Sequence, residues 1–231
     1  VAECMRIAAE LGYDGVEISL RAAEELDLAQ LKDLLRTYGL QLSALGSGRV
    51  FLEDRLSFSD PNGEIRWLAV ERIKEHIRLA AEFDAPVIVG LVRGARPTDG
   101  DGQREMQLIV ECLQQCAEYA ASANVGLLVE AINRYETCFV NTAEEGLRLL
   151  DSVGYSNVGM LLDVFHMNIE EVSMGEAIRR AGRRLKYFHI VDSNRWAPGW
   201  GHVDYSDIVA ALKDIGYEGW LSAEILPLPD S

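Results

Sequence analysis

The chain has 231 residues, 48% of them hydrophobic and 26% charged, enough to bury a large core, and barrels of this length commonly form a single domain. Lys and Arg number 22 against 37 Asp and Glu; the resulting formal charge of −15 repels phosphate backbones and anionic membrane surfaces, so nucleic acid and lipid are not expected partners. No run approaches the ~20 apolar residues of a membrane span and no signal-peptide layout opens the chain. Cys4, Cys112, Cys116 and Cys138 form no CxxC pair, so a reduced, cytoplasmic setting is expected.

Strand-like runs alternate with amphipathic stretches from end to end, the pattern of repeated βαβ units around a parallel sheet. In chain order the sequence predicts a helix over 1–11, a strand over 15–19, a helix over 27–38, a strand over 40–45, a helix over 64–83 and a strand over 86–91. There follow a helix over 104–123, a strand over 125–131, a helix over 142–152, a strand over 158–163 and a helix over 174–183. A strand over 187–192, a helix over 205–215 and a strand over 220–225 complete the pattern. Thr142 with Glu145 reads as a capping box, and Gly39 and Gly216 sit where a left-handed helix terminator is wanted. Cys112 and Cys116, four apart on one helix, read as half-buried thiols. The fold class implied is α/β, a (β/α)8 TIM barrel. The chain opens inside a helix without Met and ends at Leu226-Pro227-Leu228-Pro229, so it reads as a single barrel domain, 1–231, lacking the first strand and the last helix.

Four of these apolar runs end in a metal-binding residue type: Leu127-Leu128-Val129-Glu130, Met160-Leu161-Leu162-Asp163, Tyr187-Phe188-His189 and Trp220-Leu221-Ser222-Ala223-Glu224. The four end residues are 33, 26 and 35 positions apart, close to the roughly 31 residues of one barrel unit. A charge at the end of a buried strand is costly unless paired or bound to metal, and four in succession point to one metal centre. Three carboxylates and an imidazole suit Mn²⁺, Mg²⁺ or Co²⁺ better than a structural zinc, with Mn²⁺ favoured. Glu130 and Glu224 would also flank a bound keto-sugar. A cation on the carbonyl and its neighbouring hydroxyl lowers the pKa of the C–H between them, and one carboxylate can take that proton while the other returns one to the opposite face. That sequence of events inverts the carbon through a cis-enediolate.

The segments Glu130-Ala131-Ile132-Asn133-Arg134-Tyr135-Glu136-Thr137, Leu162-Asp163-Val164-Phe165-His166-Met167-Asn168-Ile169-Glu170-Glu171 and His189-Ile190-Val191-Asp192-Ser193-Asn194-Arg195 resemble those of the ketose 3-epimerases related to D-tagatose 3-epimerase, within the xylose-isomerase-like TIM barrels. Ala44-Leu45-Gly46-Ser47-Gly48, Gly90-Leu91-Val92-Arg93-Gly94, the stretch from Trp196 to His202 and the stretch from Glu224 to Pro229 look most like the 5-keto-gluconate epimerase branch. The resemblance implies a fold of that kind and a metal-dependent carbohydrate epimerase. It further implies Glu130, Asp163, His189 and Glu224 as metal ligands, Glu130 and Glu224 as the acid–base pair, and Glu136, His166 and Arg195 as holders of substrate hydroxyls. A homodimer or homotetramer is the assembly it implies.

Other residues are sorted by position. Trp196, in the loop after a strand, is expected to touch a sugar face. Arg93 and Arg96 are candidates for a substrate carboxylate or phosphate, and His202 either approaches the site or makes a structural hydrogen bond. His76 reads as surface or packing, Trp220 as core, and Tyr13 as lying at the opposite barrel end. The substrate expected is a keto-sugar or keto-sugar acid. Aldose–ketose isomerisation of the hydroxypyruvate isomerase type and inosose dehydration remain open on such a scaffold. A metal-dependent endonuclease is disfavoured by the negative charge and by only four His, and a non-catalytic binding protein by the retained glutamate pair.

Overall fold

The computed structural model describes residues 1–96 and 102–226. Its frame is a seven-stranded, all-parallel sheet in strictly sequential order, curled into a nearly closed barrel wall with helices outside. The strands are β1 (Gly15–Ser19), β2 (Gln41–Gly46), β3 (Val87–Val89), β4 (Leu127–Glu130), β5 (Val158–Asp163), β6 (Leu185–Ile190) and β7 (Trp220–Ala223). The helices are α1 (Ala2–Glu10), α2 (Leu28–Tyr38), α3 (Gly48–Asp54), α4 (Gly63–Ala81), α5 (Gln103–Ser122), α6 (Ala143–Val153), α7 (Val164–Glu170), α8 (Met174–Ala181) and α9 (Tyr205–Asp214). Each expected strand and helix is present, and the strands expected over 86–91 and 125–131 are shorter than the apolar runs that announce them. Among the described residues no helix is long and apolar enough to cross a membrane.

Local chemistry sets the element ends. Asp27, Asn62, Ser173 and Asp204 each accept a backbone N–H of the helix they precede. The Thr142–Glu145 capping box forms, and Gly39 closes α2 in the left-handed region at φ 67°. Two short helices lie where loops are expected. α7 starts directly from β5 because Asp163 Oδ1 accepts the N–H groups of Phe165 and His166, so the carboxylate that ends the strand also caps the helix. α3 follows Ser47, whose hydroxyl is held by the Ile88 carbonyl at 2.6 Å.

Strand side chains alternate between the helix-facing core and the barrel interior. Ala44, Ile88, Leu128, Leu161 and Tyr187 form a separate inner cluster, with Trp220 packed against it. One step of two residues further along β4, β5 and β6 lie Glu130, Asp163 and His189, so the apolar layer is a floor beneath a polar one. Asp163 and His189 are register partners across β5 and β6. Between β1 and β2 the register shifts after Val16, leaving Ser43 unpaired in the ladder; its hydroxyl meets Tyr187 Oη at 2.7 Å inside the barrel. β1 and β7 are the sheet edges, yet they meet through side chains: Ser222 Oγ donates to Glu17 at 3.0 Å, and the Trp220 ring lies 3.0 Å from where a Cβ on Gly15 would stand. Leu161 is fully buried in the floor, whereas Leu221 is 49% exposed outside. Leu161→Ala is expected to destabilise the fold by about 2–5 kcal/mol in urea denaturation, with Leu221→Ala changing it by less than about 1 kcal/mol.

Candidate metal centre and active site

Glu130, Asp163 and His189 stand at or near the ends of β4, β5 and β6, and Glu224 one residue past β7. One donor atom from each lies within 4.8 Å of the other three. His189 Nδ1 is the hub, 3.3 Å from Asp163 Oδ2, 3.6 Å from Glu224 Oε2 and 3.9 Å from Glu130 Oε1. Asp163 Oδ2 and His189 Nδ1 are buried without a hydrogen-bond partner, and such orphaned polar atoms call for a ligand. The other nitrogen, Nε2, donates to Glu17 Oε2 at 3.0 Å, and Glu17 also accepts from Tyr187 Oη and Ser222 Oγ. Glu17 therefore fixes the ring so that Nδ1 faces the carboxylates, the outer-shell device common behind metal-bound imidazoles. Gly90 leaves room for the Glu130 carboxylate, because a Cβ there would stand 2.8 Å from Oε2. These donors fit a divalent cation.

The charges agree. Burial, then the Glu224 charge, pushes the Glu130 carboxyl up to about 8; burial and Asp163 push Glu224 up to about 7. Burial opposes the charged form of His189, but Glu17 and Asp163 more than offset it and hold the imidazole well above its ordinary value. For Asp163, burial is overcome by the imidazoles of His189, 3.3 Å away, and His166, and the carboxyl is held far below the usual range.

Around this centre lies a cavity of about 220 Å³ lined by Glu130, Glu136, His166, His189, Arg195 and Glu224, together with Glu17, Arg49 and several apolar side chains. Its size is below the ~300–1,000 Å³ of drug-sized ligand sites and suits one small polar molecule. His166 is buried, its Nε2 3.7 Å from Glu130 Oε1, and burial pushes its pKa down. Arg195 adopts a left-handed backbone at φ 63°, donates to Glu224 at 2.5 Å and stacks on Phe165 at 4.5 Å.

Several expectations need correction. Trp196 does not line the cavity; its loop folds back on Asp192, which accepts the N–H groups of Ser193, Gly199 and Val203, and the indole packs on Trp200 at 5.4 Å. Arg93 is no free anion receptor, because it is 1% exposed and its guanidinium donates to the carbonyls of Val89, Glu130 and Phe139. Arg96 is exposed, outside the cavity lining. His202 takes its structural alternative, a 3.0 Å contact with Ser193 Oγ. His76 is buried between the carbonyls of Arg72 and Leu20, and Cys112 and Cys116 are fully rather than half buried. Residues 227–229 of the stretch from Glu224 to Pro229 lie outside the described residues. Glu17 and Asn133 escape a reading of strand ends, although Glu17 alternates with Gly15 and Ser19 on the inner face and is a charge inside a strand.

The sequence model of the xylose isomerase-like TIM barrel family matches residues 5–230, and the chain belongs to that family. It is 36% identical over 225 residues to the L-ribulose 3-epimerase of Methylomonas sp. (strain DH-1), covering 94% of this chain and 75% of the relative. A D-psicose 3-epimerase of Enterocloster bolteae is 35% identical over 218 residues, with coverage of 90% and 71%. The crystal structure of a D-allulose 3-epimerase from Methylomonas sp. in complex with D-allulose superposes with a TM-score of 0.89 at 31% identity, covering 99% of this chain and 79% of the other. Family and relatives together place the chain among the carbohydrate epimerases.

A histidine or carboxylic acid whose folded pKa is raised stabilises the fold below its unfolded value and loses that contribution as the pH rises through the folded one. Glu130, Glu224 and His189 all belong to this class. In chelator the melting temperature is therefore expected to fall between about pH 6 and 9. Added Mn²⁺ displaces these protons and should raise it more at about pH 8 than at about pH 6. Equal increments at both values would contradict the cluster as the binding site.

Proposed function

We propose that this protein is a divalent-metal-dependent epimerase that inverts the carbon next to the carbonyl of a free keto-sugar. Glu130, Asp163, His189 and Glu224 hold the ion, Mn²⁺ for preference, with Mg²⁺ or Co²⁺ as substitutes. When bound, that ion polarises the carbonyl and adjacent hydroxyl and acidifies the C–H between them. The observation that carries the reading is the convergence of two glutamates, from β4 and from beyond β7, on one His–Asp pair.

The two glutamates are not equivalent. Glu130 is buried against Gly90, whereas Glu224 is half-buried and held by Arg195. One removes the proton from its face of the substrate and the other delivers a proton to the opposite face. In the metal-free site burial and neighbouring carboxylates push both carboxyls up, to about 8 for Glu130 and about 7 for Glu224. His166 and Arg195, 4.0 and 3.9 Å from Glu136 in the cavity lining, orient the oxygens of the substrate together with it.

The charge balance favours an uncharged ketose over a keto-sugar acid. Glu17, Glu130, Glu136 and Glu224 line the cavity together with Arg195, Arg49 and the imidazoles of His166 and His189. Arg49 is already paired with Glu25 at 2.8 Å and Glu53 at 2.6 Å, and Arg195 with Glu224. Both arginines of the lining are thus already engaged by carboxylates, and neither is left free to pair with a substrate carboxylate.

Incubation with Mn²⁺ and a ketose panel in D₂O tests the reading. Deuterium is expected at the inverted carbon of both epimers, with Glu130→Gln and Glu224→Gln each lowering turnover by roughly 10²–10⁴-fold. No exchange with any ketose, or full turnover in Glu224→Gln, would contradict it.

A further inference from the structure

Asn133 lies three residues past β4, is 1% exposed, and has both ends of its amide committed. Oδ1 receives the backbone N–H of Tyr135 at 2.9 Å; a peptide nitrogen only donates, so the oxygen end is settled. The NH₂ end then faces Glu136 Oε1 at 2.9 Å and His166 Nδ1 at 2.7 Å. A proton on Nδ1 would set donor against donor at that distance. Nδ1 must accept, which leaves the proton of the neutral ring on Nε2. Nε2 is the nitrogen turned toward Glu130 Oε1 at 3.7 Å, and His166 is a lining residue of the cavity.

His189 reaches the same centre the other way round. Its Nε2–H is taken by Glu17, and its Nδ1 faces the carboxylates. The two buried imidazoles thus keep their fixed proton on the same nitrogen but present opposite ends: His189 offers Nδ1 for an ion, His166 an N–H. With the lone pair of His166 occupied by Asn133, that ring is unavailable as a fifth ligand, in keeping with a donor cluster that contains His189 and not His166.

We propose that Asn133 is a positioning residue that locks His166 as an Nε2–H donor toward the substrate oxygen beside Glu130. Resting on the epimerase reading above, this assigns that oxygen as the carbonyl or hydroxyl that gains negative charge when the neighbouring carbon is deprotonated, the point at which a preorganised donor contributes most. An acceptor at residue 133 would draw the proton to Nδ1 and turn a lone pair on the substrate oxygen.

The test reads the ring proton directly, by ¹⁵N NMR of the histidine-labelled full chain in Mg²⁺, with the His166 signals identified by their loss in His166→Gln. Wild type should carry its proton on Nε2 with Nδ1 bare. Asn133→Asp should move the proton to Nδ1 and lower kcat by about 10–100-fold, with a smaller change in KM. Asn133→Ala should populate both tautomers. A wild-type ring protonated on Nδ1, or an Asn133→Asp protein that keeps Nε2–H and full turnover, would overturn the proposal. The wild-type tautomer is read without any substrate, so it stands or falls separately from the epimerase reading.

Discussion

Three carboxylates held within 4.8 Å of one another around a buried imidazole are the constraint on which the rest of this structure depends. Like charges at such distances in a site shielded from water repel strongly, and a fold keeps them together only if protons or a cation neutralise them. Burial first and that repulsion second raise the carboxyls of Glu130 and Glu224, while Glu17 and Asp163 hold His189 up against its own burial. In the function proposed above the same arrangement supplies the chemistry, with one carboxyl taking a proton and the other returning one.

The barrel delivers the cluster through strand geometry more than through loops. An inner layer of Ile88, Leu128, Leu161 and Tyr187 forms an apolar floor, and the two-residue period of β4, β5 and β6 sets a polar residue directly above it. Register places Asp163 beside His189, and the missing side chain of Gly90 makes space for Glu130. Glu17 then does two things with one carboxylate. It orients His189 from behind, and through Ser222 it ties together the two sheet edges that share no backbone ladder.

Much of this is legible in the sequence, for a physical reason that also marks where legibility stops. Glu130, Asp163, His189 and Glu224 each interrupt an apolar run at barrel spacing, so the burial cost of a charge makes them conspicuous. Glu17 has no such apolar run around it, since β1 is only partly buried and reads as a short mixed segment. Arg93, flanked by glycines, looks solvated on paper; the short turn at 91–93 rolls it inward onto three carbonyls, a contact set by tertiary packing alone. Trp196 follows a strand that points at the site, but Asp192 gathers the loop's backbone N–H groups and swings the indole onto Trp200. α7 has no turn residue before it, because the capping group is Asp163 itself, a member of the candidate metal cluster.

The central claim is a single cation site with one imidazole among its ligands. Pulsed electron paramagnetic resonance on the chain loaded with one equivalent of Mn²⁺ tests it most directly. The account predicts ¹⁴N coupling from one histidine nitrogen, lost in His189→Gln and retained in His166→Gln. Coupling that survives the loss of His189, or an ion with no nitrogen in its shell, would contradict it.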